Sequence, residues 1–470
     1  MIIKVLIQIE LLNCLPTLID EYNLSNKPKL KLDVAVYFLS LFNSVPTQYR
    51  IVEKGEYIIE EDDYLDEDEL HIVSLNSQKM KKIHADYNKY FDFFLKEELI
   101  ILSKDYSTES KESRKYRITD NYLTKKLRRY TIKDKTFLKN FINGLTREQI
   151  QKNEECFKLR PYLLRSFDVS LKIEHSKAFD ECETFFETDY RKYSNGIRLI
   201  LEIYYKLWSF SIKTKSDNRL HTNFTRTPKY LRKYITYKNE NIIGMDIKTS
   251  QPYFLCVIIK AILLKDKKLL EAIGATQVLN GITIDELFKL DVNKDELIKF
   301  VLSVLDVDYY TTIQEEITIK QNEEGKYYRT VQRKNQKGVF VTKILDYDTS
   351  RKYTKILLME FFYSGTDSKI PEVVELKSKI PSIAKIFKCL EDNSIKKSFL
   401  LQYIEAYCLL DVVAKRISEK YPEIPIWSIH DCLVTTKSNA DKLKELMVTY
   451  LAETTTLTPQ IELETWTSES

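Results

Sequence analysis

Apolar positions along this chain repeat with two different periods, and the change of period marks out its elements. Residues 31–44 (KLDVAVYFLSLFNS) and 76–97 carry apolar side chains at helical spacing, which predicts two helices. Residues 98–123 then read as strand, polar loop, strand. Residues 151–212 are mostly helical by pattern, and residues 217–237 are polar, aromatic and basic, with a proline at 228. IIGMDIKTSQPYFL (residues 242–255) predicts an apolar strand that delivers Asp246, followed by a helix. Residues 266–348 mix helices with a polar, hairpin-like segment around EEGKYY, and residues 349–365 read as a helix. Residues 396–419 predict a strongly apolar helix. It leads into IPIWSIHDCLVTT (residues 424–436), a hairpin or strand with His430 and Asp431 at its tip. A further helix (440–453) and a last strand (QIELETW) end the pattern.

Composition narrows the class. With 470 residues, 43% hydrophobic and 30% charged, the chain is long enough for several domains and a sizeable core. No apolar run approaches the roughly 18–20 residues that span a bilayer, so no membrane role is expected. The apolar start, MIIKVLIQIELLNCL, is interrupted by an acid and lacks a small-residue cleavage site, so it reads as an element of the fold rather than a signal peptide. Seven cysteines are scattered without a C-x-x-C pair, which argues against zinc and disulfides and suits a cytoplasmic protein. Net charge is only +4, but it is unevenly spread. Residues 60–69 form an acidic run, while residues 111–136, including Arg128 and Arg129, are strongly basic. That asymmetry permits a local nucleic-acid footprint; a solvated charged face is the plain alternative.

The chemistry centres on two aspartates. Asp246 and Asp431 each follow an apolar strand-like run, where a bare carboxylate is expensive unless something compensates it. A metal is the simplest compensation, and two strands with one Asp each could hold a pair of Mg²⁺ ions for in-line attack on a phosphate. For either Asp alone, a cap or turn role is the plainer reading. A third element is the spacing of Arg351, Lys355, Met359 and Tyr363, every four residues, which forms one slowly drifting stripe on a helix. Two cations followed by an apolar and an aromatic residue suit a triphosphate at one end and a sugar and base at the other. An amphipathic surface helix with snorkelling cations fits the same spacing.

Taken together these motifs resemble the family A DNA polymerases and the single-subunit phage-type RNA polymerases. DIKTSQPYF resembles their motif A, whose first Asp binds metal. The Arg351–Tyr363 stripe resembles motif B, and SIHDCLVTT resembles motif C, with His430 before the second metal-binding Asp. DNRLHTNFT resembles an upstream element that places Arg219 on template or primer. The order of the four matches the family order, over roughly residues 205–470. The chain departs from the pattern in three places. Tyr363-Ser364 stands where the family has a Tyr-Gly pair, with Gly365 one step later; Cys432 stands where the DNA polymerases have a third carboxylate; and no exonuclease motif precedes residue 200.

The resemblance implies an α+β fold, a right-hand polymerase with an antiparallel palm sheet and helical fingers and thumb. Residues 1–150 would be an N-terminal module in which helices followed by strand, basic loop and strand resemble a winged helix. Residues 151–215 would be thumb-like, residues 216–265 and 395–470 the palm, and residues 266–394 the fingers. Asp246 and Asp431 would bind two Mg²⁺ ions, with Mn²⁺ as the alternative, and Lys355 would join them as a catalytic residue. Arg351, Lys355, Tyr363 and Gln251 would bind the nucleotide, while Arg219, His430, Arg128 and Arg129 would contact nucleic acid. Gln251 lies five residues after Asp246, where the DNA polymerases carry a Glu that blocks a ribose 2′-hydroxyl. Its bulk favours deoxynucleotides; a loop rebuilt by Pro252 would turn it elsewhere. The implied activity is template-directed DNA synthesis from primer-template and nucleoside triphosphates. The alternatives are an RNA polymerase or primase, and a non-catalytic DNA-binding replication initiator.

Overall fold

A computed structural model describes residues 3–43, 73–105, 113–122, 127–141, 147–186, 188–204, 206–213, 217–306, 309–323, 325–334, 340–368 and 370–466. The acidic run 60–69 and parts of the basic region 111–136 lie outside the described residues. Helices and antiparallel sheets mix in an α+β arrangement. Among the described residues no helix is long and apolar enough to cross a membrane, and the seven cysteines are free thiols.

Residues before about 140 build their own apolar cluster, which includes Ile7, Leu11, Val34, Phe38, Phe91, Phe94, Ile118 and Phe137. The helix Leu32–Ser40, strand Val73–Ser74, helices Ser77–Ile83 and Tyr87–Lys96, and strands Ile100–Lys104 and Lys115–Ile118 follow in that order. The last of these strands lies between the other two in a three-stranded sheet. The opening strand Ile3–Gln8 pairs antiparallel with Leu127–Ile132, setting Leu6 opposite Arg129 and Ile7 opposite Arg128. Asp33 locks this closure. It accepts from Tyr130 Oη at 2.6 Å, Lys133 N at 2.5 Å and the backbone N–H of Asp134.

Among the described residues the largest sheet has six strands. The strand Glu240–Ile247 is its axis. It pairs on one side with Cys432–Thr436, which turns back onto Trp427–Ile429, and on the other with Ile461–Thr465. The two-residue turn Lys238–Asn239, with φ of 50° and 65°, links the axis to Ile235–Tyr237. Positive φ at both positions is the hairpin geometry whose twist matches paired strands. Leu171–Ile173 completes the sheet beside Ile235–Tyr237. This strand lies inside the stretch whose pattern predicts helices. Three residues, alternately buried and exposed, are too few to set up a visible period.

Both faces of the axis strand are covered, and for that reason it reads as a continuous apolar run rather than an alternating one. Ile243, Met245, Ile247 and Leu433 face a large helical core. Ile242, Cys432, Val434, Trp427 and Trp466 face the helices His175–Glu183 and Tyr190–Tyr204. Gly244 is required on that second face. A Cβ there would meet Cys432 Sγ at 2.8 Å and the Trp466 ring at 3.1 Å.

The helical core includes Ser250–Leu264, which leaves the axis strand, and Lys397–Ala406. The latter runs straight into a π-helical segment, Tyr407–Ala414, which widens the turn at that point. Asp411 in this segment holds the buried Arg160 through two contacts of 2.7 Å, and Arg160 also donates to the Asn218 carbonyl at 2.8 Å.

Candidate active site

The two aspartates meet at one end of the sheet. Asp246 is the penultimate residue of its strand, and its register partner is Cys432, the residue after Asp431. Asp431 and His430 form the two-residue turn between Trp427–Ile429 and Cys432–Thr436. His430 adopts φ 55°, a left-handed conformation that costs a β-carbon residue some strain and sets Asp431 at the hairpin tip. Thr249, with φ 54°, makes the matching sharp turn between the axis strand and the helix Ser250–Leu264. Two tight turns thus present Asp246, Asp431, Ser250 and Gln251 together.

A third carboxylate lies beneath them. Glu405, on the helix Lys397–Ala406, has no exposed surface. It pairs with the Arg219 guanidinium and accepts from Ser250 Oγ at 2.8 Å and Gln251 Nε2 at 2.9 Å. Ser250 Oγ also lies 3.5 Å from Asp431 Oδ2, which ties Glu405 to the aspartate pair. Burial would lower the Arg219 pKa, but the charges of Glu405 and then Asp431 hold it above its ordinary value.

The electrostatics of Asp246 differ from those of a structural carboxylate. Burial, and then the negative charges of Asp431, Glu405 and Glu464, push its carboxyl well above the usual range. Its Oδ1 is buried without a hydrogen-bond partner. A divalent cation would satisfy that atom and relieve the repulsion between like charges. The all-oxygen donor set suits a hard ion such as Mg²⁺ or Mn²⁺. Among the described residues no group of three or more His, Cys, Asp or Glu side chains is arranged to hold a metal. The fit is therefore to the aspartate pair, with the remaining positions open to water or phosphate, as Mg²⁺ prefers.

Of the other residues picked out by pattern, Tyr363 ends the helix Ser350–Tyr363 close to this cluster. Gln402 Nε2 donates to its hydroxyl at 2.8 Å; burial raises its pKa, and the charge of Glu405 adds to that. Lys355 and Arg351 stand further up the same stripe, both exposed, with Arg351 over the Tyr310 ring at 5.0 Å. Gln251 is 8% exposed, its amide drawn onto Glu405. Arg128 and Arg129 belong to the N-terminal unit, on the strand Leu127–Ile132. Glu405 is not singled out by the sequence, where it is one acid in a strongly apolar helix. The available signal was a second acid, Asp411, six residues later in the same apolar run.

No protein-family model matches this chain, and no curated protein sequence does. Among solved structures, it is similar to the POL domain of Pol1 from M. smegmatis in complex with DNA primer-template and dNTP. The identity is 12% and the TM-score 0.30, over 67% of this chain. The chain spans 63% of the length of that domain.

Proposed function

We propose that this chain is a nucleotidyltransferase, a template-directed DNA polymerase of the right-hand kind that extends a 3′-hydroxyl with dNTPs and releases pyrophosphate. The observation that carries this reading is the juxtaposition of Asp246, near the end of its strand, and Asp431, in the turn that opens the neighbouring strand, with an unpartnered oxygen on Asp246. Those two residues would hold the divalent ions, which when bound lower the pKa of an attacking hydroxyl and neutralise phosphate oxygens. Arg351 and Lys355 bind the triphosphate, and Lys355 donates a proton to the departing pyrophosphate. Tyr363 and Gln251 border the sugar. His430 and Arg219 position primer or template.

Residues 1–150 would bring DNA or a protein partner to this site. Within them, from Leu32 to Ile118, the order of helix, strand, helix, helix, strand, strand, with the last strand central, supports a winged-helix-like module. The exposed Arg128 supplies positive charge there.

A second reading, an RNA-making polymerase or primase, is favoured by one observation. The Gln251 amide is held by Glu405 rather than standing free where it would block a ribose hydroxyl. Purified protein with a primer–template, Mg²⁺ and separate pools of dNTPs and NTPs tests both. Extension with dNTPs that is lost in Asp246→Asn and Asp431→Asn is the expected result. Extension with NTPs alone selects the second reading, and no extension with either pool rejects both.

A further inference from the structure

Arg219 is a cation within electrostatic reach of the aspartate pair, yet it is not spent on that pair. Its guanidinium pairs with Glu405, a carboxylate with no solvent exposure, while Asp431 is the next negative charge that it feels. Glu405 is itself fixed from two further sides by Ser250 and Gln251, so it cannot swing away and take Arg219 with it. Burial and the charge of Asp431 push the Glu405 carboxyl above its ordinary value, and the pairing with Arg219 and the hydrogen bond from Ser250 are what oppose that and favour the charged form. The arrangement has an electrostatic consequence. If the charge of Glu405 were removed, the strongest attraction left to Arg219 would be Asp431. A guanidinium settled there would compete with a divalent cation for the same oxygens.

We propose that Glu405 is a positioning residue that holds Arg219 away from Asp246 and Asp431 and so keeps the aspartate pair open to a divalent cation. This rests on the two-aspartate reading of the site. The role differs from that of a third metal ligand, in which Glu405 would contact the ion. It differs also from simple core packing, which a neutral isostere would preserve.

The test is Mn²⁺ binding to the purified full chain, followed by the loss of the free-ion EPR signal and by thermal shift, neither of which needs turnover. Wild type is expected to bind. Glu405→Gln keeps the shape and removes the charge, and should weaken binding by about tenfold or more, since one unit charge a few ångströms from the ion at an effective protein dielectric is worth more than a factor of about ten. Removing the released cation as well, in Arg219→Gln/Glu405→Gln, should return affinity to within about threefold of wild type. Unchanged binding in Glu405→Gln overturns the proposal. So does a double variant as weak as the single one, which would make Glu405 a ligand or a scaffold residue. If Glu405→Gln does not fold, Arg219→Gln alone decides: affinity equal to or tighter than wild type supports the proposal, and weaker affinity overturns it. A wild-type chain that binds no Mn²⁺ rejects the two-aspartate site itself, together with this inference.

Discussion

At the scale of single residues, the aspartate pair is a stored repulsion. Asp246 has its carboxyl pushed up by burial first, and then by Asp431, Glu405 and Glu464. In the absence of metal the folded chain therefore holds a proton that the unfolded chain has released. Stability then falls as pH rises from the ordinary carboxylate range towards the raised value, because the native state binds more protons across that window. Asp246→Asn should raise the melting temperature at neutral pH without divalent ions, by about a few degrees, and the gain should vanish near pH 4. A thermal melt series across pH checks this, and a pH-independent difference would mean that Asp246 is not strained by charge. Lys355 is a second residue-scale case. It is exposed on the same stripe as Tyr363. Lys355→Ala should slow single-turnover incorporation on the order of 10²-fold if it protonates pyrophosphate. Unchanged kinetics would leave it a surface lysine. Gln251→Gly should shift the ratio of kcat/KM for NTP over dNTP upward, by roughly 5- to 150-fold if a buried polar group is otherwise stranded by a ribose hydroxyl. A ratio that does not move would assign Gln251 wholly to holding Glu405.

At the scale of elements, the site depends on how closely the axis strand packs on its cover. Gly244 lies two residues before Asp246, and an added methyl would press on Cys432 and Trp466. Gly244→Ala should cost about 1–3 kcal/mol through overpacking and should loosen the register that sets Asp246 beside Asp431. A denaturant midpoint equal to wild type would contradict this. The same element explains what could be read from the sequence and what could not. Asp246 and Asp431 stood out because a carboxylate closing an apolar strand is chemically out of place. The stripe from Arg351 to Tyr363 stood out because its spacing matches a helix turn. Leu171–Ile173 did not, since its strand character comes from a neighbour far along the chain and not from its own three residues. Glu405 did not, since its importance comes entirely from Arg219, Ser250 and Gln251, residues at least 154 positions away in the chain. Local periodicity reports which way a side chain faces; it does not report which charge will meet it there.

At the scale of the whole molecule, the N-terminal unit carries its own apolar cluster and closes on itself by pairing its first strand with Leu127–Ile132. Arg128, which is exposed, and Arg129 belong to that strand. Neutralising both should weaken nucleic-acid binding about equally across sequences and flatten its salt dependence by roughly 0.9 in slope per lost phosphate contact on duplex DNA. A slope identical to wild type would assign the strand to folding or to a protein partner. The rest of the chain is drawn together differently, through one helix gripped at two points. Arg219 holds Glu405 just before the π-helical segment, and Arg160 holds Asp411 within it. The two acids are six residues apart, and each residue of an α-helix advances the azimuth by about 100°. The wide turn between them changes the angle at which the second acid leaves the rod relative to the first, so the pairing with both arginines is set in a phase that differs from that of an ordinary helix. A chain shortened by one residue in this segment would keep its hydrophobicity, its length to within a rise of about 1.5 Å and every named side chain, yet would turn Asp411 by about 100° relative to Glu405, away from the arginine it now holds. For this helix, the number of residues between the acids carries information that their identity does not.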